Sequence, residues 1–240
     1  SAATVSFPPA GAPITPGAFT PDRIPATLTL PTGARARVPA VVIVHGSAGL
    51  TPNGPEADYA RALNAAGIAT LVIDMWTPRG MPSGPAAFGG SGGVDRRPRR
   101  IADTLPDAFG ALGFLAAHPA IDPGRMGVMG FSWGGVLSFL AMSEAAAEAA
   151  LGAGPRFAAH SAHYPVCWPF LPGAPSAEAL AGPWTAAPLQ MQVAALDDYD
   201  GDGGAACQAL IAGLPEAKRQ RVDFILHGEA THTWDLKVPR

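Results

Sequence analysis

The sequence predicts an α/β domain: a doubly wound, mostly parallel β-sheet flanked by helices. Two patterns carry this. Short, nearly continuous apolar runs at Val41–Val44, Thr70–Ile73, Met126–Met129, Leu189–Val193 and Val222–Leu226 suit strands buried on both faces. Between them lie longer stretches with helical spacing, and strands that alternate with helices build parallel sheets. Composition agrees. Of 240 residues 48% are apolar and 15% charged, which excludes a disordered chain, while 29 glycines and 26 prolines require many turns and long loops.

Taken in order, residues 1–39 form a Pro-rich entry segment ahead of the main domain, residues 40–240, the whole forming one domain. Its alternating stretch Ala26–Leu30 reads as an edge strand. After the first buried run, Glu56–Ala66 reads as a helix closed by Gly67. Thr77–Arg100 holds Pro and Gly throughout and no sustained period, so it reads as a loop at the carboxyl ends of the strands, where open α/β sheets bind ligands. Within it Arg96, Arg97, Arg99 and Arg100 surround Pro98, a pattern that suits a solvated helix entry better than a nucleic-acid patch. Ile101, Leu105, Ala108, Leu112 and Leu115 share one face of a helix that ends before Pro119. Trp133–Ala150, free of proline, reads as one long helix, Phe157–His163 as a further strand, and Ala205–Leu214 as a helix ending before Pro215.

A net charge of −3 supplies no broad positive field, which argues against nucleic acid as partner. No run approaches the length of a membrane span, so a soluble protein is expected. The chain begins at Ser1 without an apolar signal core, consistent with a removed signal peptide or a trimmed start. Cys167 and Cys207 are too few for a disulfide framework and lack the spacing of zinc or redox sites. They read as one bridge or two inert thiols. Cys167 follows the Phe157–His163 strand and Cys207 opens the helix after Leu189–Val193, which favours the bridge, and with it a secreted or periplasmic location.

The sharpest chemical signal is Gly130-Phe131-Ser132-Trp133-Gly134, placed between a strand and a helix. It fits the G-x-S-x-G nucleophile elbow, a turn so tight that the positions two before and two after the nucleophile must be small. Ser132 then stands at a helix N-terminus, whose free N–H groups favour a developing oxyanion. A serine is a weak nucleophile and needs a base held by an acid. Both follow in the expected order: the strand ending at Ala195 runs into Asp197, and the last strand leads into a loop containing His232. His118, His160, His163 and His227 read as structural. Asp198, Asp200 and Asp202 resemble the start of a calcium loop, but Ala209 stands where a bidentate Glu is needed, so no metal is expected. Val44-His45-Gly46-Ser47-Ala48-Gly49 follows the first buried strand and supplies an oxyanion loop. Its donors are the N–H of Ser47, with Ala48 as alternative, and that of Trp133. Neither a dinucleotide fingerprint nor a P-loop is present, and no cofactor is expected.

Val44–Gly49, Asp74–Gly80, Gly130–Gly135, Asp197–Tyr199 with Cys207 following, and Gly228–His232 resemble the dienelactone hydrolase family of α/β-hydrolases, over about Val41 to Asp235. The resemblance implies an α/β-hydrolase fold with Ser132 as nucleophile, Asp197 as acid and His232 as base. It further implies Arg79 as a residue that binds a substrate carboxylate. The plainer reading of Arg79 is a loop arginine paired with Asp74 or Asp95. The hydrolases that give the family its name use cysteine where this chain has Ser132. The family adds a helix after the base, whereas here Arg240 follows His232 closely, and the Pro-rich N-terminal segment is a third difference. The expected activity is that of a serine hydrolase cleaving carboxylic esters or lactones through an acyl-enzyme. A peptidase or thioesterase would use the same triad, and a catalytically silent ligand-binding relative would keep the pocket.

Overall fold

The computed structural model describes residues 1–84, 96–200 and 203–237. Eight strands form one sheet, β1 (Ala2–Phe7), β2 (Ile24–Thr29), β3 (Val38–Val44), β4 (Ala69–Ile73), β5 (Ile121–Phe131), β6 (Ala159–His163), β7 (Leu189–Ala194) and β8 (Val222–His227). Their order is β1-β2-β4-β3-β5-β6-β7-β8. From β4 to β8 all neighbours are parallel, while β1 and β2 join antiparallel. The helices are α1 (Glu56–Ala65), α2 (Leu105–Ala117), α3 (Trp133–Leu140), α4 (Glu144–Leu151), α5 (Ala205–Ala212) and the short α6 (Glu216–Arg219). No helix among the described residues is long and apolar enough to cross a membrane.

The continuous apolar runs serve two cores at once, because successive side chains of a strand point to opposite faces. Val42 and Val44 face the larger core with Ala108, Leu112, Val136 and Leu137 of α2 and α3. Ile43, Met129, Phe131 and Tyr164 face a smaller one with Tyr59 and Leu63 of α1. With layers on both faces, the ends of β3, β5, β7 and β8 gather at one edge of the sandwich, where open sheets form their crevice.

The structure differs from the sequence reading in several places. The stretch read as an edge strand lies second in the sheet, since β2 pairs with β1 on one side and β4 on the other. The outermost strand on this side, β1, is hidden from the sequence pattern by its Pro-rich surroundings. The helix expected over Trp133–Ala150 is two helices. Met142 and Glu144 exchange backbone bonds with Thr185 and Pro183 in place of the helical ladder, and Ser143 Oγ accepts from Ala146 N–H to start α4 afresh. Part of the Thr77–Arg100 loop, including Asp95, lies outside the described residues. Its beginning is a short 3-10 turn, Thr77–Arg79.

Candidate active site

β5 passes straight into α3 through Ser132, whose backbone stands at φ 53° and ψ −106°. Such a conformation in a non-glycine residue costs on the order of 1–3 kcal/mol and persists only when neighbours impose it. They do so here. Ser132 N–H donates to His163 O at 2.9 Å, anchoring the turn to β6. A Cβ built on Gly130 would overlap the backbone of Gly134, and one on Gly134 that of Val44. The small residues of the motif are thus required by contact between backbones.

Two further loops reach the serine. After β7, Asp197 is held in a turn by Tyr199 N–H, which donates to Asp197 Oδ1 at 2.8 Å. After β8, the chain bends through Ala230 to His232, and Leu196 N–H donates to Ala230 O, tying the two loops together. His232 Nδ1 lies 2.6 Å from Asp197 Oδ2, and His232 Nε2 lies 2.9 Å from Ser132 Oγ. A carboxylate can only accept, so Nδ1 carries the ring proton and Nε2 is left to accept from the Ser132 hydroxyl. Asp197 and His232 are buried. The Tyr199 ring stacks on the imidazole at 4.4 Å, and that of Tyr164 meets it edge-on at 5.1 Å. Tyr164 is itself fixed by donating to Asp235 at 2.6 Å.

The loop after β3 faces the same point. Ser47 N–H has no acceptor among the described residues, and the N–H of Trp133, first residue of α3, has none within its helix. The loop is held from behind. His45 Nε2 accepts from Met75 N–H at 3.0 Å, so its Nδ1 donates to Gly46 O, and Trp76 Nε1 donates to Ser47 O at 2.8 Å. Burial pushes the His45 pKa down, which keeps the ring neutral and able to make both bonds. Rings of His45, Trp76 and Trp133 meet edge-on in succession. His45 and Trp76 were not singled out from the sequence, although both stand in the quoted motifs.

Ser132 opens onto a cleft of about 380 Å³, lined by the Gly46–Gly49 loop, Gly54–Glu56, Tyr164, Tyr199 and His232 among others. A larger cleft of about 700 Å³ lies elsewhere, against Leu105, Leu140 and Phe170, and holds none of these groups. Glu56, also unremarked in the sequence, is buried in the smaller cleft. Its carboxyl pKa is pushed up to about 7, chiefly by burial and further by Asp235, against a lowering bond from its own backbone N–H.

Arg79 does not reach this cleft as a substrate-binding residue. Its side chain is 1% exposed and its guanidinium is bound to Asp107 at 2.6 and 3.1 Å and to Met75 O at 2.8 Å. The partner is not Asp74, which caps the Thr77–Arg79 turn through Trp76 and Thr77 N–H, and the other expected partner, Asp95, lies outside the described residues. A distant carboxylate on α2 could not be read from local sequence. Cys167 and Cys207 form a disulfide with Cα atoms 4.9 Å apart. Beside it Asp200 accepts from the N–H groups of Cys167 and Trp168, and burial pushes its pKa up to about 6. Asp200 and the two sulfurs cluster closely, but disulfide sulfurs offer no thiolate to a metal. Asp202 lies outside the described residues. His160 Nδ1 donates to Ser138 O, His118 accepts from Ala120 N–H, and His227 contacts Gln192, all away from Ser132.

An α/β sandwich with a serine, a histidine and a carboxylate in contact at its strand ends defines the α/β-hydrolase class. A family model, that of the dienelactone hydrolase family, matches residues 24–235, and the chain belongs to this family. No curated protein matches the chain. Among solved structures, a putative dienelactone hydrolase from Klebsiella pneumoniae subsp. pneumoniae is 18% identical, with TM-score 0.63 over 97% of this chain and 88% of that one. A dienelactone hydrolase-like promiscuous phosphotriesterase from metagenomic libraries is 21% identical, with TM-score 0.65 over 97% and 83%. A butyrate-bound thermophilic esterase from Thermogutta terrifontis is 14% identical, with TM-score 0.59 over 88% and 80%. At these identities the likeness is one of fold.

Proposed function

We propose that this protein is a serine hydrolase that cleaves small carboxylic esters or lactones through an acyl-enzyme. The observation that carries the reading is the unbroken contact from Ser132 Oγ through His232 to Asp197. Ser132 Oγ forms a bond to the carbonyl carbon as its proton passes to His232 Nε2. The carbonyl oxygen, now an oxyanion, faces the N–H groups of Ser47 and Trp133, and losing one such donor costs about 2.7–4 kcal/mol. On collapse the carbon–oxygen bond to the alcohol breaks and His232 returns the proton to the leaving oxygen. Water then repeats the sequence and frees the acid. Asp197 holds the imidazole in the required tautomer throughout. The modest cleft suits a small substrate, and the butyrate-bound esterase of similar fold points to short acyl groups.

The test is turnover of short aryl esters by the purified protein and by Ser132→Ala, with labelling by a fluorophosphonate. Several decades of loss in kcat and labelling confined to Ser132 are expected. A loss below about tenfold in Ser132→Ala removes the elbow from the chemistry.

A further inference from the structure

The charged residues lining the cleft are, among the described residues, Glu56 and Asp198, both acidic. Asp198 is exposed and water screens it. Glu56 is 5% exposed, and its carboxylate has no side-chain partner among the described residues. Room for it exists because residue 54 is glycine, where a Cβ would overlap Glu56 Oε2. Among the described residues no cation acts on it, and Lys237, Arg61 and Arg79 are engaged elsewhere. Lys237 and Arg61 pair with Asp58, and Arg79 with Asp107. Other groups around it are Asp235, which bears on it electrostatically, Tyr59 and Tyr164, both hydrogen-bonded to Asp235, and His232 across the cleft. A buried carboxylate facing a ligand cleft without a counter-ion is an unusual arrangement, because desolvated charges are normally paired. The missing partner can be supplied by what the cleft binds.

We propose that Glu56 reads substrate charge, so that the site favours esters carrying a cation over uncharged and anionic isosteres. This rests on the ester-hydrolase reading and names its substrate class. In the absence of a cation the carboxyl holds a proton over much of the neutral range, which avoids an unpaired buried charge. A cationic substrate gains an attraction that a neutral one lacks, and gains more as the carboxyl ionises.

The experiment compares kcat/KM for butyrate esters of choline, of its uncharged tert-butyl isostere and of a sulfonate-bearing alcohol of similar length. A second series places the same charges on the acyl side of p-nitrophenyl esters. The cation-to-neutral ratio should reach about tenfold at pH 8 in at least one series and fall toward one at pH 6. Any pH dependence that both substrates share cancels in the ratio. In Glu56→Gln the ratio should lie near one at both pH values. A wild-type ratio at or below one in both series at pH 8 overturns the proposal without any variant. So does a Glu56→Gln protein that keeps the wild-type ratio, which would pass the role to Asp198. Failure of the ester-hydrolase reading is distinguishable, since then the neutral esters are not turned over at all.

Discussion

Removing the Arg79 guanidinium, by Arg79→Ala, leaves Asp107 at 0% side-chain exposure with no cation. The pair is bidentate, and a third bond ties the guanidinium to Met75 O, so Arg79 also fastens the end of β4 to α2. Breaking a buried pair by deleting one partner costs about 3–5 kcal/mol, because the survivor is stranded as an unpaired charge. For a chain of this size that lowers Tm by roughly 6–20 °C. Burial already pushes the Asp107 pKa up, and Arg79 alone opposes it. In the variant the folded-state pKa therefore rises further above the unfolded value. An acid shifted this way destabilises the fold above its unfolded pKa, so the deficit should grow with pH and shrink as pH is lowered from 8 to 5. Thermal and urea unfolding of wild type and variant across that range provide the assay. A deficit below about 1 kcal/mol, the worth of an exposed pair, would refute the reasoning. Leu at position 107 in the same chain should recover much of the loss, since apolar replacement of a whole buried pair is often neutral. The kcat/KM ratio between an anionic ester and its neutral isostere should not move.

Three further outcomes follow from the geometry. Asp197→Asn should lower kcat by orders of magnitude through loss of tautomer control, whereas Asp198→Asn should cost far less on neutral esters; the reverse order in steady-state kinetics would shift the acid by one residue. Reduction of Cys167–Cys207, separated by 40 residues, should lower stability by roughly 4 kcal/mol in the chain-entropy model, and unchanged urea midpoints with and without reductant would contradict this. The Glu56 pKa near 7 lies above its unfolded value, so its ionisation destabilises the fold as pH rises; Glu56→Gln should gain on wild type by up to about 3 kcal/mol between pH 5 and 8, and parallel stability curves would exclude an ionising, unpaired Glu56.

The buried strands were legible because each is apolar on both faces, and the elbow because its glycines answer to steric contact within a few residues. Ser132, Asp197 and His232 are each marked by a strand end, which is why local sequence could point to residues 35 and 100 positions apart that meet in space. What stayed hidden depended on tertiary partners. The split of α3 from α4 is made by backbone bonds from Pro183 and Thr185, and the fate of Arg79 by Asp107. Glu56 looked like an ordinary acidic residue at a helix start, a position where such residues are common on exposed surfaces.

The Ser132 turn is set by main chain alone: a hydrogen bond to β6, and close passages of Gly130 and Gly134 past neighbouring backbones. The side chain at the apex takes no part in holding it. In the proposed chemistry, scaffold and reactive group are therefore separable, and the chemical identity of the nucleophile can change while the platform that aims it stays folded. A lineage built on such a turn can move between oxygen and sulfur chemistry by a single-atom exchange, with the burden of adaptation falling on the base, the oxyanion loop and the walls of the cleft.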